Sequence, residues 1–408
     1  MNRDFEFSSW ITARRVRAHG FILALCLWSV YLWNISTPGL LDRAGNLKGA
    51  DFLHLYTLGS LAIAHRGADL YNSAAQSQLA AQHLPVAEGI HYLALYPPQV
   101  SILFAPLARL SYPMALVCWL AFSSLVYAFC CYAIWRALPN LRQYKVTVFV
   151  LALGCPAFWH LIAWGQTSAL ALACFTLAFF ALRARREFLA GIAFGCLIFK
   201  PQLGVAPAII FLLTLRWRVI AGAFLSAVGE LAAAWFYYGI GPLRQWICAL
   251  LKTPHELSLL EPRIYQTHCL RTFWGMLIPW ISMSLALYII SAVVVCFLSI
   301  VCWRVRGPLS LRFSTLLFAT VLLAPHLTVY DLVILAPAFL LLCDWIAGHP
   351  EHLAAPYLKV LLYLAFVLPL VGPLARWTHF QPSVPVMFAI SYEIWRIGGK
   401  SARVPESA

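Results

Sequence analysis

Charge is what this sequence lacks. Of its 408 residues only 15 are Asp or Glu, and all charged residues together make up 11%, against about 25% in soluble domains. With 62% of the residues hydrophobic, too little polar surface remains to solvate a globule of this size. The chain is long enough for two soluble domains, yet no polar stretch is long enough to be one. Residues 1–408 therefore read as a single membrane domain. Also absent are the Walker, GxGxxG, HExxH and GxSxG patterns, so neither ATP nor a nucleotide cofactor is expected. No DxD pair occurs, and no essential metal is expected. The twelve cysteines form no CxxC pair, and most lie inside apolar runs, as Cys130, Cys174 and Cys296 do; they read as small buried hydrophobes.

What the chain does have is long apolar runs. A spanning helix needs about 20 apolar residues, and the runs lie at about 20–36, 112–135, 145–163, 166–182, 188–200, 202–215, 219–238, 276–303, 310–325, 329–347, 354–374 and 383–395. The expected fold is an all-α polytopic membrane protein with about ten to thirteen transmembrane helices. The first run has no small-x-small cleavage site after it and is expected to stay as a span.

The net charge of +14 does not point to nucleic acid, because the basic residues sit in short clusters between apolar runs. With the N-terminus in the cytoplasm, alternating crossings put Arg14, Arg15 and Arg17, then Arg136, Arg142 and Lys145, Arg183, Arg185 and Arg186, Arg216 and Arg218, Arg304, Arg306 and Arg312, Lys359, and the tail 396–408 all inside. One threading thus satisfies the positive-inside rule. It leaves five unusual segments outside: loop 37–111, which is expected to carry short interfacial helices; the WGQTS turn at Trp164–Ser168; FKPQ at Phe199–Gln202; loop 239–275; and APHLTVYD at Ala324–Asp331. Polar groups from distant parts of a polytopic chain converging on one side have the geometry of a site.

Their chemistry is specific. Asp51 stands at the start of a helical pattern, where a carboxylate can take a proton from an acceptor hydroxyl or cap the helix. Lys200 lies between two short apolar runs; an ammonium there needs an anion or must snorkel to the interface. Gln166 is able to hydrogen-bond a sugar hydroxyl or a phosphate. Asp331, beside Tyr330 and His326, is placed to orient a substrate or pair with a cation. In the basic loop 239–275, Arg263 and Arg271 are candidate phosphate contacts, and the prolines of YPPQ, Tyr96–Gln99, shape a cleft. An outward-facing site without nucleotide apparatus calls for a substrate already in the membrane, and an activated lipid-phosphate sugar meets that need.

The ordered series ADFLHLYTLG, GADLYN, YPPQVSILFAPLARL, GQTSALALACFTLAF, LAGIAFGCLIFKPQLGVAP and APHLTVYDLVILAPAFLLL, from about residue 50 to 345, resembles glycosyltransferase family 87. These are bacterial membrane mannosyltransferase-like proteins of the C-type glycosyltransferase superfamily. The resemblance implies a C-type bundle in the cytoplasmic membrane. It also implies an inverting transfer from a polyprenyl-phosphate sugar, typically mannose, to a glycan or glycolipid acceptor on the outer face. Asp51 would be the base, and Lys200 and Gln166 the partners of the donor phosphate. This chain departs from its relatives in two places. Tyr330 stands where many carry a histidine, with His326 the nearby substitute, and Thr167-Ser168 follow GQ in place of the usual Asn. A different class, a transporter or flippase for a lipid-linked or anionic substrate, also uses broken helices and a buried lysine; the chain shows no internal repeat, and the candidate residues gather on one face.

Overall fold

The computed structural model describes residues 9–253, 261, 263–305 and 307–401. Arg306, most of the tail 396–408, and residues 254–260 and 262 of the second large loop lie outside this set. Most of the described residues are helical, and they form no strand, only two isolated bridges. In chain order the α-helices are α1 Ala13–Ile35, α2 Ala50–Ile63, α3 Ser73–His83, α4 Gln99–Phe104, α5 Tyr112–Arg136, α6 Lys145–Leu153, α7 Pro156–Trp164, α8 Ser168–Arg183, α9 Glu187–Gly195, α10 Pro201–Leu213, α11 Trp217–Tyr238, α12 Ile240–Lys252, α13 Leu270–Leu277, α14 Ile281–Arg304, α15 Leu309–Leu323, α16 Ala336–Gly348, α17 Ala355–Val367, α18 Ala375–Thr378 and α19 Ser383–Ser401.

Six helical stretches are long and apolar enough to span a membrane: α1, α5, α11, α14, Val329–Gly348 and Ala355–Thr378. A seventh is a pair bent by 43°, Arg142–Leu153 with Pro156–Trp164. Its break follows from Pro156 at the first position of α7, which cannot continue α6. Side chains such as Phe236 (82% exposed), Ile281 (85%) and Leu125 (69%) face outward from these helices. Only a hydrocarbon surround makes so much exposed apolar surface stable. The protein is a multi-pass membrane protein.

Four apolar helices are shorter: Ser168–Arg183, Glu187–Phe199, Pro201–Leu213 and Leu309–Leu323. At 1.5 Å per residue a 15-residue helix covers about 22 Å, less than the bilayer's roughly 30 Å core. They therefore fall short of the full hydrocarbon thickness.

Helix α2 lies deeper than an interfacial stripe implies. Phe52–Ala62 are buried on every side, and Phe52 stacks among Phe104, Tyr112 and Trp119. The first long loop thus folds into the bundle and carries its catalytic candidate with it.

The tightest helix pair is α9 against α11. A Cβ on Gly191 or Gly195 would overlap the carbonyls of Val219 or Ala223, and one on Gly222 the carbonyl of Phe188. Gly191-x-x-x-Gly195 is the small-xxx-small spacing that lets membrane helices touch backbone to backbone. Gly191→Ala or Gly222→Ala is expected to lower stability by about 1–3 kcal/mol through overpacking. Gly229→Ala on the same α11, where a Cβ meets nothing within 4 Å, should lose none. Thermal unfolding in detergent micelles reads the difference.

Candidate active site

The site forms where α2, the α7–α8 turn, the α9–α10 break and the segment after α15 meet. Gly165 makes the α7–α8 turn possible. Its φ of 72° suits glycine, and a Cβ there would press on Phe52. Trp119 Nε1 donates to the Gly165 carbonyl at 2.9 Å. On the facing stretch of chain, Tyr112 Oη shares its one hydrogen between the carbonyls of Lys48 and Gly49 at 2.8 and 2.9 Å, and Tyr92 Oη donates to that of Ala50. Two clamped turns thus bring Gln166 to Asp51.

Gln166 Nε2 donates to Asp51 Oδ2 at 2.5 Å. Tyr96 Oη donates to Gln166 Oε1 at 3.2 Å, and the Thr167 amide donates to the same oxygen at 3.3 Å. Those two donors fix which way the Gln166 amide points. Among the described residues nothing donates to Asp51 Oδ1, so that oxygen is left for an incoming hydroxyl.

Beside it, Lys200 Nζ donates to Asp331 Oδ1 at 2.7 Å and to Ser168 Oγ at 3.0 Å; Ser168 Oγ donates to the same Asp331 oxygen at 2.5 Å. Lys200 is 5% exposed and Asp331 1%, so the anion that Lys200 requires is this carboxylate. The Tyr330 ring lies 5.1 Å from Nζ and packs near Trp164, whose own ring lies 5.4 Å from the Arg263 guanidinium. Lys200, Asp331 and Arg263 are all close enough to act on the charge of Asp51.

Arg271 and His326 form a neighbouring group with an acid that the sequence reading did not single out. His326 Nδ1 meets Glu261 Oε1 at 2.7 Å, and Arg271 bonds the same oxygen and the Pro325 carbonyl. Burial alone pushes the Glu261 carboxyl upward, but the His326 and Arg271 hydrogen bonds hold it below its ordinary value. The Thr267–Thr328 bridge, with His268 N donating to Leu327 O at 3.0 Å, ties this loop to the Asp331 segment. Asp51, Gln166, Lys200, Tyr330 and Asp331 are thus brought together, while Arg271 and His326 sit alongside, held by Glu261. Tyr96, Ser168 and Glu261 were missed. The signals for them were slight: a tyrosine before two prolines, a serine after GQT, and an acid among four basic residues. No group of three or more His, Cys, Asp or Glu among the described residues could hold a metal ion.

Burial is the main reason the Asp51 carboxyl is raised from 3.8 to about 6; the Gln166 hydrogen bond and the Lys200 charge oppose it, and the Asp331 charge adds to it. A general base works only ionised. The rate constant kcat/KM is therefore expected to rise tenfold per pH unit below about 6 and level off above it. A pH–rate profile flat through that region would exclude Asp51 as the titrating base.

Residues 94–327 match glycosyltransferase family 87. No curated protein and no solved structure matches the chain.

Proposed function

The chain belongs to glycosyltransferase family 87, and on that premise we propose that it moves a hexosyl group, mannosyl in the first instance, from a polyprenyl-phosphate sugar to the hydroxyl of a glycan or glycolipid. The reaction inverts the anomeric carbon and takes place on the outer face of a bacterial cytoplasmic membrane. Asp51 Oδ1 takes the proton of the acceptor hydroxyl as its oxygen attacks the anomeric carbon from the side opposite the phosphate. The bond from that carbon to the phosphate oxygen breaks, and its electron pair leaves on the phosphate.

The observation that carries this reading is the meeting of a half-buried carboxylate with one open oxygen and a buried ammonium close enough to act on its charge. Lys200 has three N–H donors and spends two on Asp331 and Ser168. Among the described residues no acceptor takes the third, which leaves it for the developing phosphate charge, and fixed charges in a dry site stabilise such charge strongly. Arg263 adds a second cation at the rim. Four residues after Lys200, an apolar groove of about 200 Å³ begins on α10, where Gly204, Pro207, Ala208 and Phe211 face Ala223 and Phe224 of α11. A polyprenyl tail held there would keep its phosphate by the ammonium.

The test is to incubate the purified protein with labelled polyprenyl-phosphomannose and a panel of glycan acceptors. Release of polyprenyl phosphate with label on an acceptor is expected. Movement of intact donor across vesicles, with no product, would reject transfer in favour of transport.

A further inference from the structure

The end of the bundle remote from Asp51 holds a cavity with a small basic side. Helix α15 runs between the two ends: Ala324–Asp331 follows it at the active-site end, and Gly307 and Pro308 precede it at the other. A cavity of about 150 Å³ opens there among the end of α14, the start of α15, the α16–α17 link and α19. Its polar lining is Arg312, His349 and His352, and no Asp or Glu lines it.

The donors are set in advance. Arg312 Nε is buried and has no partner, and the guanidinium is kept over the Trp303 ring at 5.3 Å. His352 Nδ1 accepts from the Ala354 amide at 3.1 Å, which puts the ring proton on Nε2 and makes that nitrogen a donor. His349 Nδ1 donates to the Trp345 carbonyl at 2.9 Å, which holds its ring against the end of α16. Trp345 sits between the imidazoles, stacked on His349 at 4.8 Å and edge-on to His352 at 5.1 Å. The first turn of α15 lines the same cavity through Pro308, Leu311 and Arg312, and a helix start favours negative charge. Glu187, whose charge acts on Arg312, is already engaged by Arg216 at 2.7 Å, and Glu351, between the two histidines in the chain, is exposed.

We propose that this cavity binds a phosphate group, either the headgroup phosphate of an anionic membrane lipid or a free phosphate. Arg312 and the two histidines reach this cavity from separate elements, α15 and the α16–α17 link. An arginine fork matches phosphate in geometry as well as charge. A volume of 150 Å³ exceeds the share of about 30 Å³ that one water takes, so a phosphate fits with water around it. The inference does not depend on the transferase reading.

The test uses the full-length protein with two probes. Delipidated protein in detergent is titrated with inorganic phosphate against chloride at equal ionic strength, and its thermal midpoint is read by tryptophan fluorescence. In parallel, protein in nanodiscs of phosphatidylcholine with or without phosphatidylglycerol is analysed by native mass spectrometry for retained lipid. Arg312→Gln and His352→Gln should each weaken phosphate or phosphatidylglycerol binding at least tenfold, while Arg218→Gln, an exposed arginine at the same end, should not. Response to phosphate alone identifies a free anion as the ligand, and response to phosphatidylglycerol alone identifies a lipid headgroup; either supports the site. Should Arg312→Gln fail to fold, His352→Gln carries the test. The proposal is overturned if neither probe binds, if both cavity variants bind as the parent does, or if Arg218→Gln loses as much.

Discussion

Asp51→Asn is expected to lower kcat by about 10²–10⁴-fold, the range that a positioned general base contributes, and to leave the folded protein intact. The two halves of this expectation share one cause. Ionising a carboxyl whose folded pKa is raised, here to about 6 from 3.8, costs stability as pH rises through that window, because the unfolded chain gives up its proton first. Asparagine has no proton to lose and carries no such cost, so above pH 6 the variant should melt no lower than the parent. Its Oδ1 can still accept from Gln166 Nε2 in place of the carboxylate. Steady-state transfer and thermal unfolding on the same preparation check both halves. Near-normal transfer by a well-folded Asp51→Asn would remove Asp51 from the chemistry and return it to a helix-start role. A large loss of stability would mean instead that the Gln166 contact is structural.

The spanning helices were legible because a hydrocarbon solvent leaves the backbone little choice. A run expected at 112–135 is the helix Tyr112–Arg136, 219–238 is Trp217–Tyr238, and 329–347 is Val329–Gly348. The run at 145–163 breaks at Gly154–Pro156, which its own proline foreshadowed. Helix α2 was less legible. Its Leu53, Tyr56 and Leu61 made a stripe, but His54, Thr57 and Ser60 on the other faces are buried too. Periodicity cannot show that a helix with polar residues is enclosed on all sides; the partners that enclose it, Phe104 and Trp119, come from distant segments. The same holds at the site. Lys200 announced a missing anion, yet the sequence offered no means to choose Asp331, 131 residues away, over a phosphate. Glu261 had no signal beyond being acidic in a basic loop, although it holds both Arg271 and His326.

The Lys200–Asp331 ion pair yields the second large effect. Lys200→Met should destabilise the protein by about 3–5 kcal/mol, the usual cost of removing one partner of a buried pair. It leaves the Asp331 carboxylate, 1% exposed, with Ser168 Oγ as its one side-chain donor among the described residues. Asp331→Leu alone should be similarly harmful, since it strands the ammonium. The double variant Lys200→Met, Asp331→Leu replaces the pair by apolar groups of similar bulk, and most of the stability should return; a double-mutant cycle by thermal or denaturant unfolding measures the coupling. Transfer activity then separates the two roles of Lys200. If its charge serves only to neutralise Asp331, the double variant regains activity along with stability. If its third N–H stabilises the departing phosphate, the double variant folds and stays inactive, down by about 10²–10³-fold, as when a single donor to a developing charge is removed. The second outcome is expected. The Asp331–Ser168 pair uses two of the three Nζ hydrogens, and a phosphate leaving beside Asp51, on whose charge Lys200 acts, would take the remaining one.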